Sequence, residues 1–414
     1  MISLNQSGRP VGDVIAELSA KRDNDVKWRE GKTFGLVYDG GPEVHEVAER
    51  AAAMYLHENA LNTQAFPSLG DIQREVVGWT ASLLSGPETA SGFMTSGGTE
   101  SILCGVKAAR ERGRIERGIT EPEMVLTESA HAAFHKAAHL FGIKVHKTKV
   151  RDDWTADVDA MANAMTDNTV LLVGSAPQYP QGVIDDIPAI AALAQSADAN
   201  WNVIWADSFC CSPRCWDEAC LGFPGRWGFV DFGRHSQARL LAQGRLGDLH
   251  RTKELRKYQT FLFSDWLGGF YASPNMQGTR SGLPMAAAWA VMNHLGVDGY
   301  KALVAQTLDN ADRIRAGIAE IDGICTLGSG AYQLVALSAD PTSDDPVDAF
   351  ALGDALMKRG WYLDRQGPPD SLHSTVSNSN TGVVDDYLDA LRASVDEVRG
   401  TTADDRSTVY STLD

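Results

Sequence analysis

The chain has no long apolar run, few cysteines and a shortage of basic charge, and each lack removes a class of function. Apolar stretches such as Val170 to Val173 fall far short of the ~20 residues a membrane helix needs, so no membrane span is expected. Met1 to Pro10 has neither a basic start nor an apolar block, which speaks against a secretory signal. With 37 Lys and Arg against 54 Asp and Glu, the net charge is −17. Neither nucleic acid nor an anionic membrane is therefore expected as the main partner, although a local basic pocket for one small anion stays open. Six cysteines in 414 residues make no disulfide framework. Four of them, Cys210, Cys211, Cys215 and Cys220, crowd together, but without the paired C-x2-C spacing of a zinc site. His135 and His139 stand four apart with no third ligand and read as ordinary helix residues, so no metal is expected. The expected location is the cytoplasm.

What is present is a globular chain, 43% hydrophobic and 22% charged, long enough for two or three domains. Apolar residues recur at helical spacing over Pro42 to Glu58, Ile72 to Leu84 and Ser101 to Arg114. Met124 to Thr127 and Thr169 to Val173 are short β-prone runs followed by turn signals. An apolar helix is expected over Ile187 to Ala194, and a further strand over Val203 to Trp205. Such alternation predicts an α/β domain with a largely parallel sheet. From about Gly299 the pattern changes to a helix over Tyr300 to Ile321, a strand over Gln333 to Leu337 and a helix over Ala349 to Arg359. The expected organisation is an N-terminal segment 1–58, a large domain 59–298, a small α+β domain 299–400 and a frayed tail 401–414.

Four segments carry residues suited to chemistry. Thr95-Ser96-Gly97-Gly98-Thr99-Glu100-Ser101 opens a helix, where free N–H groups attract an anion; a plain Ser/Thr cap is the competing reading. His131 follows the Met124 strand, at a place where an imidazole can lie flat over a planar ring. Asp207 ends the Val203 strand and is either a partner for a protonated ring nitrogen or a helix cap. The cluster Gly278-Thr279-Arg280-Ser281-Gly282 holds an arginine suited to a carboxylate or phosphate.

Taken in order, these pieces resemble the pyridoxal-phosphate (PLP) enzymes of the group II decarboxylase type, and within them the sphingosine-1-phosphate lyases and their bacterial relatives. The motifs are NALNTQAFPSL from Asn59, TSGGTES, SAHAAFHKAAHLFGIKV from Ser129, YPQGVIDDI from Tyr179, DWLGGFYASP, GTRSG, and WYLDRQGPPDSLH ending at His373. The resemblance implies the PLP-dependent transferase-like fold (fold type I), with a large mixed-sheet cofactor domain and a small C-terminal α+β domain, in a homodimer. It further implies that Ser96, Gly97, Gly98 and Thr99 hold the PLP phosphate, that His131 stacks on the pyridine ring and that Asp207 pairs its nitrogen. Gly278, Thr279 and Arg280 would reach the cofactor phosphate of the dimer partner, and Asn62, Tyr271, Arg280 and His373 would lie near a small-molecule amine substrate. The implied reaction is retro-aldol cleavage of a phosphorylated amino alcohol to an aldehyde and phosphoethanolamine. Amino-acid decarboxylation is the alternative.

One element of that family is missing. Its Schiff-base lysine sits in a run of the type HKxGYxPKGAS ahead of DWLGG, yet Trp205 to His250 contains no lysine and no family motif. Read one base out of frame, Ser236 through Gly247 permits H-K-L-G-Y-S-P-K-G-A-S-V, with the lysine codon straddling Gln237 and Ala238. Gln237 and Gln243 each dictate A-purine-G at the two lysine positions. The expectation is an out-of-frame stretch in which the cysteine cluster has no function and activity as written is negligible. The competing expectation is a lysine-less, non-catalytic binding or scaffold partner.

Overall fold

Strands buried on both faces need apolar side chains at every position, and two segments of the chain show that pattern. β2 (Glu123–Thr127) and β4 (Thr169–Ser175) are buried at every residue, as expected of parallel strands covered by helices on both sides. Side chains alternate between the two layers. Met124, Leu126 and Val173 pack against α4 (Gly98–Arg117) and α5 (Ala133–Phe141). Val125 and Leu172 pack with Met161, Ile190 and Ala194, which come from α6 (Val158–Asn163) and α7 (Ile187–Ser196).

The computed structural model describes residues 3–84, 86–196, 202–205, 228–231, 247–250, 252–328 and 332–408. Its main sheet has seven strands in the order β1-β7-β6-β5-β4-β2-β3. The others are β1 (Ser91–Met94), β3 (Lys144–Thr148), β5 (Asn202–Trp205), β6 (Gly228–Asp231) and β7 (Gly247–His250). β7 runs antiparallel to both its neighbours, and the remaining six are mutually parallel. The carboxyl ends of those six strands therefore meet at one edge. In open α/β sheets this is the edge where ligands bind.

A second layer forms from α2 (Pro42–Met54), α3 (Pro67–Leu83) and the long helix α9 (Leu283–Ala319), which share Val44, Ile72, Val76, Ala286 and Val291 in one core. The helix expected over 42–58 thus stops at Met54. The expected Tyr300 helix is the second half of α9, which kinks at Gly296. That kink lies close to the expected boundary at 298.

Beyond it, β10 (Ile324–Leu327), β11 (Leu334–Ala339), β12 (Asp364–Gln366) and β13 (Ser371–Thr375) form an antiparallel sheet in the order β10-β11-β13-β12. α10 (Ala349–Lys358) and α11 (Val384–Val398) cover it. The N-terminal segment is shared between the two units. Phe34 packs into the small unit's core, 4.7 Å from Tyr387 and 6.1 Å from Trp361 between ring centroids, and Asn380 Nδ2 donates to the Gly31 carbonyl at 2.8 Å. Truncating a buried phenylalanine of this kind costs about 3–5 kcal/mol. The expected frayed tail is tied at its start, because Arg406 bonds Asp348 and Asp370.

The short helix α8 (Lys253–Arg256) precedes the hairpin of β8 (Phe261–Phe263) and β9 (Tyr271–Ser273). The N-terminal helix α1 (Val11–Ala20) buries none of its residues. Among the described residues, no helix is long and apolar enough to cross a membrane.

Candidate cofactor and substrate site

β1 delivers the chain to the carboxyl edge and Thr95 to Gly97 turn it into α4. Gly97, the residue before the helix, has φ 153° and ψ 176°, a conformation a side chain disfavours. Thr95 Oγ1 and Ser101 Oγ hydrogen-bond at 2.6 Å, both buried. By helix geometry the N–H groups of Gly98, Thr99 and Glu100 have no carbonyl partner inside the helix. With the helix dipole behind them, they form an anion cradle. The Ser96 N–H lies outside that cradle. It donates to Glu100 Oε2 at 2.5 Å and is taken.

Glu100 is the residue that sequence reasoning missed here. Buried in the first turn of α4, its other oxygen accepts N–H bonds from Met276 at 3.0 Å and Gln277 at 3.2 Å. One carboxylate thereby ties the cradle to the loop carrying Gly278 and Thr279, both exposed. Arg280 turns inward. Its guanidinium donates to Gln73 Oε1 at 2.6 Å and to the Met94 carbonyl at 3.1 Å, so within this chain it braces the end of β1 against α3.

The same loop draws in the segment carrying Asn62. Ala60 N–H donates to the Arg280 carbonyl at 2.7 Å, and Gly282 N–H to the Glu58 carbonyl at 2.8 Å. Asn62 is exposed and accepts from Gln64 N–H at 2.9 Å, making the turn before α3. Tyr271 lies on β9, 38% exposed, with Trp266 edge-on at 6.3 Å.

A second grouping follows from β2 and β4. His131 is buried just after β2, and its Nδ1 accepts the Ala133 N–H at 3.1 Å. An accepting Nδ1 leaves the proton of the neutral ring on Nε2. Tyr179 stands edge-on to His131 at 6.3 Å and packs on His373 at 4.1 Å. His373 comes from β13 of the small unit, with Nε2 3.0 Å from Thr375 Oγ1.

The Tyr179 loop is rigidly seated. The Gln178 and Gln181 side chains bond each other at 2.7 Å, and Gln366 Nε2 donates to the Pro180 carbonyl at 2.6 Å. Gly182, at φ +72°, lies so close to Leu334 that a Cβ there would sit 2.8 Å from the Leu334 Cβ. Asp185 anchors the loop by accepting N–H bonds from Ser175 at 2.7 Å and Ala156 at 2.8 Å. Burial nevertheless pushes its carboxyl up to about 6, outweighing those two bonds.

Asp207 lies outside the described residues, as does most of the Trp205 to His250 stretch with its cysteine cluster. A fit to PLP can be tested on what is described. The cradle suits a phosphate. Two buried polar atoms near the edge, Ser175 Oγ at the end of β4 and Asn275 Oδ1 beside the cradle, have no hydrogen-bond partner among the described residues. Unsatisfied buried groups of this kind mark a place that a polar ligand fills. The residues present fit the cofactor's phosphate and polar rim.

Comparison with known proteins agrees. Residues 42–208 match the aminotransferase class-V family. The chain is 34% identical to the sphingosine-1-phosphate lyase of Oryza sativa subsp. japonica, covering 96% of this chain and 75% of that one. It is 34% identical to sphingosine-1-phosphate lyase 1 of Rattus norvegicus, covering 96% and 70%. An L-aspartate decarboxylase of Thermococcus kodakarensis is 28% identical over 86% of this chain and 90% of its own. The solved structure of Burkholderia pseudomallei sphingosine-1-phosphate lyase superposes with a TM-score of 0.86 at 31% identity, covering 96% of this chain and 93% of that one. The fold is shared with a Lactobacillus brevis glutamate decarboxylase, TM-score 0.82 at 18% identity, covering 96% and 95%. The chain belongs to the sphingosine-1-phosphate lyase family of PLP-dependent fold-type-I enzymes.

Proposed function

We propose that this protein derives from a carbon–carbon lyase that cleaves a phosphorylated amino alcohol to an aldehyde and phosphoethanolamine, and that the chain as written cannot turn over. The observation that carries the first half is likeness to lyases along nearly the whole chain, at higher identity than to the decarboxylase relative.

In the intact site, PLP supplies an electron sink for the broken Cα–Cβ bond. The chain's own residues do the rest. Gly98 and Thr99 N–H groups and the Thr99 hydroxyl bind the cofactor phosphate, Gly97 letting the backbone approach. His131, held by Ala133, would lie against the ring, and an acid at the position of Asp207 would pair its nitrogen. Tyr179 and His373 stand where the two units meet, beside the substrate. His373, whose Nε2 lies 3.0 Å from Thr375 Oγ1, would take up the proton leaving the β-hydroxyl. Asn62 and Tyr271 line the entrance, while Arg280, turned inward to Gln73 and the Met94 carbonyl, braces the end of β1 beneath it.

The site is completed by a second copy of the chain. Phe261, Leu262, Phe263, Trp266, Leu267 and Phe270 are all exposed on and around the β8–β9 hairpin. A contiguous apolar patch of that kind marks an interface. Gly278 and Thr279, in the loop that Glu100 ties to the cradle, reach the partner's cofactor phosphate.

The second half rests on the missing lysine. The family match over residues 42–208 ends inside the Trp205 to His250 stretch, and the alternative frame places H-K at Ser236 and Gln237, four residues past the end of β6. The test has two parts. Purified chain is incubated with PLP, reduced with borohydride and weighed; less than a tenth of a cofactor bound per chain is expected, and near one per chain overturns the reading. Resequencing the DNA for residues 200–255 should show the lysine motif in the next frame. If no frame spells it, the lysine-less binding protein becomes the better account.

A further inference from the structure

Glu100 is bonded more heavily than the start of a helix requires. A glutamate in the first turn is commonly satisfied by one backbone N–H ahead of the helix. Glu100 accepts three. Its Oε2 takes the Ser96 N–H at 2.5 Å, from the turn that leads into the cradle. Its Oε1 takes the N–H groups of Met276 at 3.0 Å and Gln277 at 3.2 Å, from the loop beyond β9. The side chain is buried. There, hydrogen bonds to a charged acceptor are strong, and an amide that loses its acceptor is costly. The two oxygens thus bind the cradle turn and the loop into one body.

Two further bonds reinforce the junction. Asn275 Nδ2 and the Arg280 guanidinium both donate to the Met94 carbonyl, each at 3.1 Å, at the end of the strand that feeds the cradle. The loop is therefore fixed at its two ends and by Glu100 between them, while Gly278 and Thr279 at its tip stay exposed. In the dimer described above, that tip completes the partner's site and not its own. Whatever shifts the cradle of one protomer is then passed through Glu100 to the site of the other.

We propose that Glu100 is a positioning residue that couples the two cofactor sites of the dimer, its Ser96 arm serving its own cradle and its Met276–Gln277 arm serving the partner's. This rests on the PLP and homodimer readings above. It adds the residue through which the two sites depend on each other.

Mixed dimers of the full chain separate the two arms. One protomer is unaltered. The other carries Thr99→Asp, which suits the first turn of a helix but repels a phosphate, so its own cradle is silent. Pyridoxamine 5′-phosphate is the probe, because it carries the phosphate and ring and needs no lysine. Adding Glu100→Ala to the silenced protomer should weaken probe binding at the unaltered cradle about tenfold, within the usual range of coupling between sites. Glu100→Gln in the same place has one accepting oxygen left for Met276 and Gln277 and gives up Ser96, so that binding should change by less than about twofold.

Amide exchange gives a readout that needs no change at Glu100. Probe bound at the unaltered cradle should slow the Met276, Gln277 and Ser96 amides of the silenced protomer. Unchanged affinity with Glu100→Ala and unchanged exchange at those amides overturn the inference and leave the cofactor and dimer readings standing. Should Glu100→Ala fail to fold, unchanged exchange alone overturns it. A monomer in sedimentation equilibrium, or an unaltered chain that does not bind the probe, defeats those readings and this inference with them.

Discussion

Tyr179 packs on His373 with ring centroids 4.1 Å apart and planes tilted by 34°, joining a loop of the large unit to a strand of the small one. Aromatic pairs of this geometry contribute about 0.5–1.5 kcal/mol beyond the area they bury. Tyr179→Ala should therefore lower the urea midpoint by an amount worth at least about 1 kcal/mol, whereas Tyr179→Phe keeps the ring and should retain most of the stability. Equal midpoints for the two variants would show that the ring contact contributes nothing.

Gly182 gives a sharper test of the same junction. Its positive φ and the closeness of Leu334 leave no room for a methyl group. Gly182→Ala should destabilise by about 1–3 kcal/mol. The loss should appear as an earlier loss of small-unit structure in limited proteolysis. A midpoint within error of the parent would mean that the loop is not seated as described.

Two carboxyls should drive stability in opposite directions with pH. Asp185 has its folded value raised to about 6 by burial. The folded state thus holds its proton more tightly than the unfolded chain, and stability falls as pH rises from about 4 to 6. Glu123 is held down at about 2 by the Thr166 hydroxyl, with Lys144 and His146 adding to it. Its contribution is complete above the ordinary glutamate range and disappears as pH falls from about 4.5 to 2. Asp185→Asn should flatten the stability profile between pH 4 and 6, and Glu123→Gln the limb below 4.5. Denaturant titrations across pH 2.5 to 7 check both, and unchanged slopes would contradict the assignments.

Arg406 ties the C-terminal segment to Asp348 and Asp370 across the ring of Phe350. Arg406→Ala should release residues 401–408 to a non-specific protease at least several times faster, with little change in global unfolding, since exposed ion pairs contribute little to it. Equal cleavage rates would show that the tail is held by other contacts.

How much of this was legible depended on where each segment lies. β2 and β4 declare themselves because both faces are buried and the run is apolar throughout. β3 does not: it is an edge strand with Lys144, His146 and Lys147, charges that suit an exposed margin and erase the strand signal. The start of α9 is hidden too, because Pro284-Met285-Ala286-Ala287-Ala288 is apolar all round and has no helical period. The cradle and His131 are readable from local residue types. Glu100 was invisible, since its partners are backbone amides of Met276 and Gln277, which leave no trace in side-chain pattern. The meeting of Tyr179 with His373 is a tertiary event between two segments that local periodicity does not connect.

The placement of β7 has a temporal side. Among the described residues β1 pairs in the sheet with β7 alone, with Met94 opposite Gly247 and Ser91 opposite His250. The strand that presents the anion cradle is thus made early and finds its partner late. At roughly 5–20 residues per second of synthesis, β1 waits on the order of ten seconds or more with both backbone edges open. A lesion between β6 and β7 that removes the β7 pairing makes that wait permanent. Damage confined to the middle of the gene would then be felt first at a cradle whose own codons are intact, and a chaperone that shields open strand edges would be the earliest cellular factor to register it.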